Sequence, residues 1–219
     1  ILEACRRYPV KHLVYASSSS VYGMNEEVPF RESDVTDSPV SLYAATKKSN
    51  ELMAHSYSSL YGIPATGLRF FTVYGPWGRP DMAPMLFMKA AMEGKSIRVF
   101  NNGDLYRDFT YIDDIITGVT AVAEGAPPER SANSSGAGHR VFNIGNSTPV
   151  ALLDFISAIE RVTGRKIAKV FTEMQAGDVY KTYADTTLLE SRFGYKPSTP
   201  LDSGIERLYE WYYSHPSLF

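Results

Sequence analysis

The sequence predicts an α/β protein with a largely parallel sheet. Short apolar runs rich in β-branched residues alternate with helix-length stretches of apolar periodicity. The strand-like runs end in polar or glycine- and proline-rich turns. The composition, 44% hydrophobic and 21% charged over 219 residues, suits a chain that buries a sizeable core.

Taken in order, Ile1 to Arg7 reads as a helix already in progress with no initiator Met before it, which predicts a piece of a longer protein. Lys11 to Ala16 predicts a buried strand, ending in a polar loop at Ser17 to Ser20. Residues 23–41, with Gly23, Pro29 and Pro39, read as loop. Leu42 to Tyr61 predicts a helix rich in Ala, Lys, Glu, Leu and Met, with Gly62 as its C-cap before Pro64. Thr66 to Val73 predicts a second buried strand, followed by the turn-rich Tyr74 to Pro80. Pro84 to Glu93 predicts a helix stopped at Gly94, Ser96 to Phe100 a short strand, and residues 101–104 a turn.

Phe109 to Ile112 reads as extended, and Asp113 or Asp114 is placed to cap a helix reaching Glu124. Gly125 to Arg140, rich in Pro, Ser, Gly and Ala, reads as the flexible segment. Val141 to Gly145 predicts a third buried strand. Ser147 or Thr148 then caps the next helix, with Pro149 in its first turn. Leu152, Leu153, Ile156, Ile159 and Val162 share its apolar face. Ile167 to Phe171 predicts a strand, and Leu201 to Tyr213 a closing helix whose Tyr209, Trp211, Tyr212 and Tyr213 read as core or interface.

The 22 basic and 24 acidic side chains leave a formal net charge of −2, which argues against a nucleic-acid partner, since that class carries a basic stripe. No apolar run approaches the roughly 18–20 residues of a membrane span. The single Cys5 excludes an internal disulfide and suits a reducing, cytoplasmic compartment. His12, His55, His139 and His215 lie too far apart for metal-ligand spacing, so no metal is expected.

The chemistry begins at Tyr43 and Lys47, four residues apart in the predicted helix and therefore on one face. A cation beside a phenol favours the phenolate, a general base usable near neutral pH. An isolated pair of this spacing is ordinarily only a surface contact. Here it follows Ser18, which stands at the carboxyl end of a predicted strand, the edge at which open α/β sheets bind ligands. A serine hydroxyl there can share the reacting proton or orient a substrate, although Ser17 to Ser20 also fit an ordinary polar loop.

Several motifs in their order resemble the extended short-chain dehydrogenase/reductases that act on nucleotide sugars, the NAD-dependent epimerase/dehydratase family. They are Tyr15-Ala16-Ser17-Ser18-Ser19-Ser20-Val21-Tyr22-Gly23, Tyr43-x-x-x-Lys47, Arg69-Phe70-Phe71-Thr72-Val73-Tyr74-Gly75-Pro76 and Arg107-Asp108-Phe109-Thr110-Tyr111-Ile112-Asp113-Asp114. Asn143-Ile144-Gly145-Asn146, Gly177-Asp178 and Ala184-Asp185 extend the likeness over nearly the whole chain, and the UDP-glucuronate 4-epimerases are the nearest branch. The fold this implies is the C-terminal part of a Rossmann-type, doubly wound parallel sheet with an interleaved smaller substrate-binding lobe. Residues 1–74 would be the C-terminal half of the dinucleotide-binding domain and 75–219 mainly the UDP-sugar lobe, with 107–145 returning to the former.

The resemblance implies interconversion of UDP-glucuronate and UDP-galacturonate through a 4-keto sugar with tightly bound NAD. Tyr43, Lys47 and Ser18 would be catalytic, with Ser19 and Ser20 close competitors for the serine role. Ala16, Ser17, Tyr43, Lys47, Phe70 and Val73 would hold the cofactor. Ser19, Ser20, Thr72, Arg79, Arg98, Val99, Phe100, Arg107, Gln175 and Asp178 would hold the substrate: Arg107 on the pyrophosphate, Asp178 and Gln175 on the ribose, and Arg98 to Phe100 along the uracil. Relatives that dehydrate or decarboxylate carry acids beside the serine, and Ser18-Ser19-Ser20 has none, which favours simple redox at C4. The sugar carboxylate needs a cation, and a guanidinium binds carboxylate bidentately. Arg79 is the candidate for that role, against a plain solvated loop arginine; Phe100 fits core packing equally well. Members of the family are commonly homodimers, and Leu42 to Tyr61 can supply the dimer face or pack within the chain.

The departure from the family is at the start: no strand, glycine-rich turn and helix of the kind that grips a dinucleotide pyrophosphate appears. This predicts little or no epimerase activity for the 219 residues alone. UDP-glucose 4-epimerase, another nucleotide-sugar reductase, or an inactive binding protein that kept the fold remain the alternatives.

Overall fold

In a computed structural model of the chain, residues 1–129, 138–174 and 179–215 are described. The first half runs α1 (Leu2–Arg7), β1 (Leu13–Ser18), a 3-10 turn (Ser19–Tyr22), α2 (Leu42–Tyr61), β2 (Ala65–Phe70), β3 (Thr72–Tyr74), α3 (Ala83–Glu93) and β4 (Ser96–Val99). The second runs β5 (Tyr106–Arg107), β6 (Phe109–Tyr111), α4 (Ile112–Glu124), β7 (His139–Ile144), β8 (Val150–Ala151), α5 (Leu152–Thr163), β9 (Ala168–Phe171), β10 (Lys181–Thr182), α6 (Thr187–Phe193) and α7 (Leu201–Ser214). The class is α/β as the alternation predicts, and the described strands pair in parallel apart from β5 with β8.

The main sheet has the order β1-β2-β7, with Leu13 opposite Ala65 and Ala65 opposite His139. Crossover helices between parallel strands put α2 on this sheet, as a parallel arrangement requires. The helix α2 is well framed locally. The Ser41 hydroxyl accepts from the Ala44 N–H at 3.1 Å, and Gly62 closes the helix in the left-handed region at φ 71°, where a side chain is disfavoured.

The predicted strand at Thr66–Val73 is in fact two. β2 pairs with β7, the chain kinks at Phe71, and β3 pairs with β6. The Phe71 N–H donates to Ile144 O and the Thr72 N–H to Asp108 O, both at 3.2 Å, so the backbone changes partner within two residues. β1 was expected to be buried, but only Ser17 and Ser18 are, because β1 is the edge of the three-strand sheet. Those two serines extend the strand, and the polar turn begins at Ser19.

Two expected caps are replaced by tertiary contacts. α4 starts at Ile112, so Asp113 and Asp114 lie in its first turn, where a negative charge complements the helix dipole. Asp114 instead accepts the N–H groups of Ser198 and Thr199. α5 starts at Leu152 rather than after Ser147 or Thr148, because Val150 and Ala151 pair with Arg107 and Tyr106, and the Leu152 N–H donates to Leu105 O at 2.8 Å. Its buried face holds Phe155, Ile156 and Ile159 with Leu152, while Leu153 turns outward. Burying each such side chain contributes roughly 1.5–3 kcal/mol. Within the segment read as flexible, His139 and Arg140 belong to β7, and 130–137 lie outside the described residues.

Among the described residues, three apolar clusters organise the interior. The largest joins α3, α5 and α7 through Met88, Phe155, Ile156 and Leu208; Tyr212 is buried in it, Tyr209 and Trp211 pack against it, and Tyr213 faces out. A second lies against the main sheet, with Leu68, Ile115, Ile144 and Leu189. The third holds Val21, Tyr22, Phe30 and Phe71 beside the serine turn. Among the described residues, no helix is long and apolar enough to cross a membrane.

Candidate active site

Tyr43 and Lys47 sit one turn apart in the first half of α2, with the Lys47 Nζ 5.7 Å from the Tyr43 ring centroid. The Lys47 ammonium donates to Ala16 O at 3.2 Å, which anchors this part of the helix to the carboxyl-terminal half of β1. Tyr43 itself is 49% exposed, open to a ligand arriving at the strand ends.

One turn further along the same stripe, Glu51 is buried. Its Oε1 accepts from the Ser17 hydroxyl at 2.6 Å and from Arg69 Nε at 2.9 Å, and its Oε2 accepts from Arg69 Nη2 at 2.9 Å. Burial alone would push the Glu51 carboxyl up; the hydrogen bonds and charge of Arg69 outweigh it and hold the group below the usual carboxylate range. Arg69 also donates to the Tyr22 hydroxyl at 3.0 Å, and that hydroxyl donates to Asn143 Oδ1 at 2.6 Å. Burial pushes the Tyr22 phenol up to about 12. Ser17, expected to face a cofactor, has its hydroxyl engaged in this network.

Of the competing serines, Ser18 caps the 3-10 turn, its Oγ accepting the Ser20 N–H and donating to the Ser20 hydroxyl, both at 3.2 Å. Ser19 and Ser20 line a cavity of about 230 Å³ together with Ser41, Thr72, Arg107 and Thr182. That cavity brings the N-cap of α2, two residues before Tyr43, to the serine turn and to the expected pyrophosphate arginine. Arg107 donates to the carbonyls of Tyr106 and Tyr180.

Asp108, next to Arg107, was not singled out from the sequence, though an acid inside a β-rich run is a visible signal. It is fully buried, and its carboxylate accepts the N–H groups of Asn146, Ser147 and Ala184 at 2.6, 3.1 and 2.9 Å. Two backbone segments, at 146–147 and at Ala184, are thus gathered on one side chain. Burial pushes its carboxyl up to about 6 against those donors. Gly145 is needed here, since a Cβ would stand 2.7 Å from Asp108 Oδ2. Glu51 and Arg69 were missed for a different reason: each lies in a plausible local context, and only the fold brings them together.

On the other side of β3, Val73 and Arg79 line a second cavity of about 230 Å³ with Pro76, Trp77 and Met82. Thr72 and Val73 face different cavities because successive strand side chains alternate. Arg79 is paired with Asp81, Nε to Oδ1 at 3.1 Å and Nη2 to Oδ2 at 2.5 Å, with its side chain 68% exposed. Its loop leans on the end of α7: Trp77, at φ 61°, packs its ring 5.4 Å from Trp211 and 5.7 Å from His215.

The remaining expected residues are dispersed. Arg98 and Phe100 line a separate cavity of about 300 Å³ on the α3–β4 side, the guanidinium 5.7 Å over the Phe100 ring. Val99 is wholly inside the largest core, so its side chain is excluded from ligand contact, and Phe100 packs partly against that core. Phe70 packs into the cluster against the main sheet. Gln175 and Asp178 lie outside the described residues. No group of three or more His, Cys, Asp or Glu placed to hold a metal occurs among the described residues.

Comparison with known proteins supplies an independent reading. The model of the NAD dependent epimerase/dehydratase family matches residues 1–145. An uncharacterized 37.6 kDa protein of Escherichia coli O111:H- is 53% identical over 97% of this chain and 66% of its own length. UDP-glucuronate 4-epimerase 4 of Arabidopsis thaliana is 49% identical over 99% of this chain and 52% of its own. The crystal structure of UDP-glucuronic acid 4-epimerase from Bacillus cereus, in complex with UDP-glucuronic acid and NAD, superposes with a TM-score of 0.86 at 35% identity, covering 100% of this chain and 65% of that one. The chain thus spans about two thirds or less of the length of the relatives it matches. Its motifs, its Rossmann-type parallel sheet and the family match agree, and the chain belongs to the NAD dependent epimerase/dehydratase family.

Proposed function

We propose that this chain is the part of a UDP-glucuronate 4-epimerase that carries its acid–base pair and most of its nucleotide-sugar site. The observation that carries the reading is Lys47, bonded to Ala16 O and lying beside the half-exposed Tyr43 at the carboxyl end of a parallel sheet. Tyr43 as phenolate accepts the proton of the sugar 4-hydroxyl and returns it after the 4-keto sugar has presented its other face. Lys47 stabilises the phenolate, and a serine of the 18–20 turn, Ser18 or the cavity-lining Ser19 or Ser20, hydrogen-bonds the same oxygen.

The residues present fit a nicotinamide nucleotide at this edge: a phenol, an ammonium and the backbone of Ala16 and Ser17 are donors and acceptors for ribose hydroxyls, with Phe70 and Val73 as apolar neighbours. NAD, when bound, would take the C4 hydride and give it back. On the substrate, Arg107 meets the pyrophosphate, Thr72 offers a hydroxyl donor from the cavity of Ser19 and Ser20, and Arg79 meets the sugar carboxylate from the Val73 side of β3. Arg98 and Phe100 lie along the uracil, and Gln175 and Asp178 accept from the ribose. Residues 1–74 then act as the cofactor side and 75–219 mainly as the sugar side, with 107–145 shared. The exposed Leu42, Leu52, Met53 and Leu60 on α2 support a homodimer, and the lone Cys5 supports a cytoplasmic location.

The deciding experiment incubates the full-length protein with UDP-glucuronate, and separately with UDP-glucose, and follows C4 inversion by proton NMR. Formation of UDP-galacturonate, with UDP-glucose a poor substrate, is the expected result. Preference for the uncharged sugar would overturn the glucuronate assignment and the role of Arg79; the 219 residues alone should turn over little of either.

A further inference from the structure

Ser17, Arg69 and Asn143 stand on a single rung of the three parallel strands, Ser17 opposite Arg69 and Arg69 opposite Asn143. A guanidinium in the middle of a sheet, with its side chain only 5% exposed, needs a carboxylate and further acceptors. Here the carboxylate comes from the covering helix. Tyr43, Lys47 and Glu51 follow one another at four-residue intervals, so the bidentate Glu51–Arg69 pair and the Lys47–Ala16 bond lie along one stripe of α2.

Lys48 bonds Thr36 and His55 meets the His139 ring from α2, but the fully buried part of its inward face offers little bulk. Its buried residues besides Glu51 are Ala44, Ala54 and Ser58, all small. Small side chains make shallow contacts that let a helix slide or turn on the surface beneath, whereas two parallel charge-assisted bonds allow one geometry. A shift of one residue rotates a helix by about 100° and would carry Lys47 away from Ala16 O. Stability alone is a weak reason to keep such a pair, because apolar residues of similar volume commonly serve as well or better.

We propose that Glu51 and Arg69 are positioning residues that set the height and rotation of α2 over the strand ends, and so hold Tyr43 and Lys47 where they meet the substrate. The Ser17 hydroxyl and the Tyr22–Asn143 bond extend the same frame across β1 and β7. The inference rests on the reading of Tyr43 and Lys47 as the acid–base pair.

Two variants of the full-length protein test it. Glu51→Met/Arg69→Met removes both charges at similar volume, and Glu51→Asp keeps the charge but shortens the tether by one methylene. Each is expected to fold and to keep its KM for UDP-glucuronate within about twofold, while kcat falls about 10–100-fold, as for a small misplacement of reacting groups. In a crystal structure of either variant, Lys47 Nζ should have left hydrogen-bond range of Ala16 O. A kcat within twofold of the parent, or a raised KM with kcat intact, overturns the proposal. Failure of both variants to fold would assign the pair to stability alone and overturn it equally. If the parent protein turns over no UDP-sugar, the proposed function has failed; the Lys47–Ala16 separation in the variant crystal then decides, and a retained bond near 3.2 Å overturns the positioning role.

Discussion

The Arg69–Glu51 and Arg79–Asp81 pairs use the same two functional groups in opposite surroundings. In the first, both side chains are 5% exposed and locked in a bidentate pair within a network spanning three strands. In the second, both are more than 60% exposed and belong to one short loop. Water screens the exposed pair and competes for it, so Asp81 holds Arg79 loosely. An incoming carboxylate can take the place of Asp81 without stranding a buried charge. The buried pair has no such exchange open to it, since a lost partner leaves an unpaired ion in a dry site. Holding geometry and trading ligands demand opposite burial, and under the roles proposed for the two pairs this chain would keep them apart.

The sharpest way to break this contrast is at the chemical end of the held region. Tyr43→Phe removes the oxygen proposed to accept the proton and keeps the ring, so kcat should fall by about a thousandfold with UDP-sugar affinity unchanged by calorimetry. Retained turnover would mean that the frame around α2 serves something other than acid–base chemistry.

A smaller and oppositely signed pair of effects is expected at the exchanging region. Arg79→Ala should weaken UDP-glucuronate binding about tenfold or more, and UDP-glucose binding hardly at all. Asp81→Asn, which removes the internal competitor, should tighten UDP-glucuronate a few-fold. Both are read as dissociation constants; two variants moving in the same direction would mean that Asp81 orients Arg79 and does not compete for it.

An effect on stability, where the others act on turnover or binding, concerns a second buried carboxylate. Glu51 has Arg69 and is held below the carboxylate range, whereas Asp108 meets N–H and hydroxyl donors among the described residues, and burial raises it to about 6. A raised carboxylate binds a proton in the folded state before it does so unfolded, so its contribution favours the fold as pH drops from about 6 towards 4. Urea titrations at pH 6.5 and 4.5 should therefore show Asp108→Asn losing about 1–3 kcal/mol of relative stability against the parent at the lower pH. Equal differences at both pH values would show that Asp108 stays ionised throughout.

What the sequence makes legible follows how local the cause is. The bounds of α2 and its Gly62 cap can be read because capping residues and periodicity lie within a few residues of each other. The kink at Phe71 and the start of α5 cannot, since one is a change of strand partner and the other a backbone bond to Leu105. The site divides likewise. Tyr43 and Lys47 announce themselves by spacing, and Glu51 shares their stripe, but its meaning depends on Arg69, eighteen residues away on another element. Val99 falls inside an expected binding strand, yet alternation turns its side chain into the core.

The tilted and edge-on ring contacts of Trp77 with Trp211 and His215 link residues far apart in the chain. Under the proposed role of Arg79, this makes the last helix a tuning handle for sugar choice. A library of substitutions in α7, or a fusion partner joined beyond it, would shift the 75–82 loop and alter which sugars are accepted, leaving the buried frame beneath Tyr43 untouched. An engineer seeking new substrates would begin there, in a helix far in sequence from the serine turn.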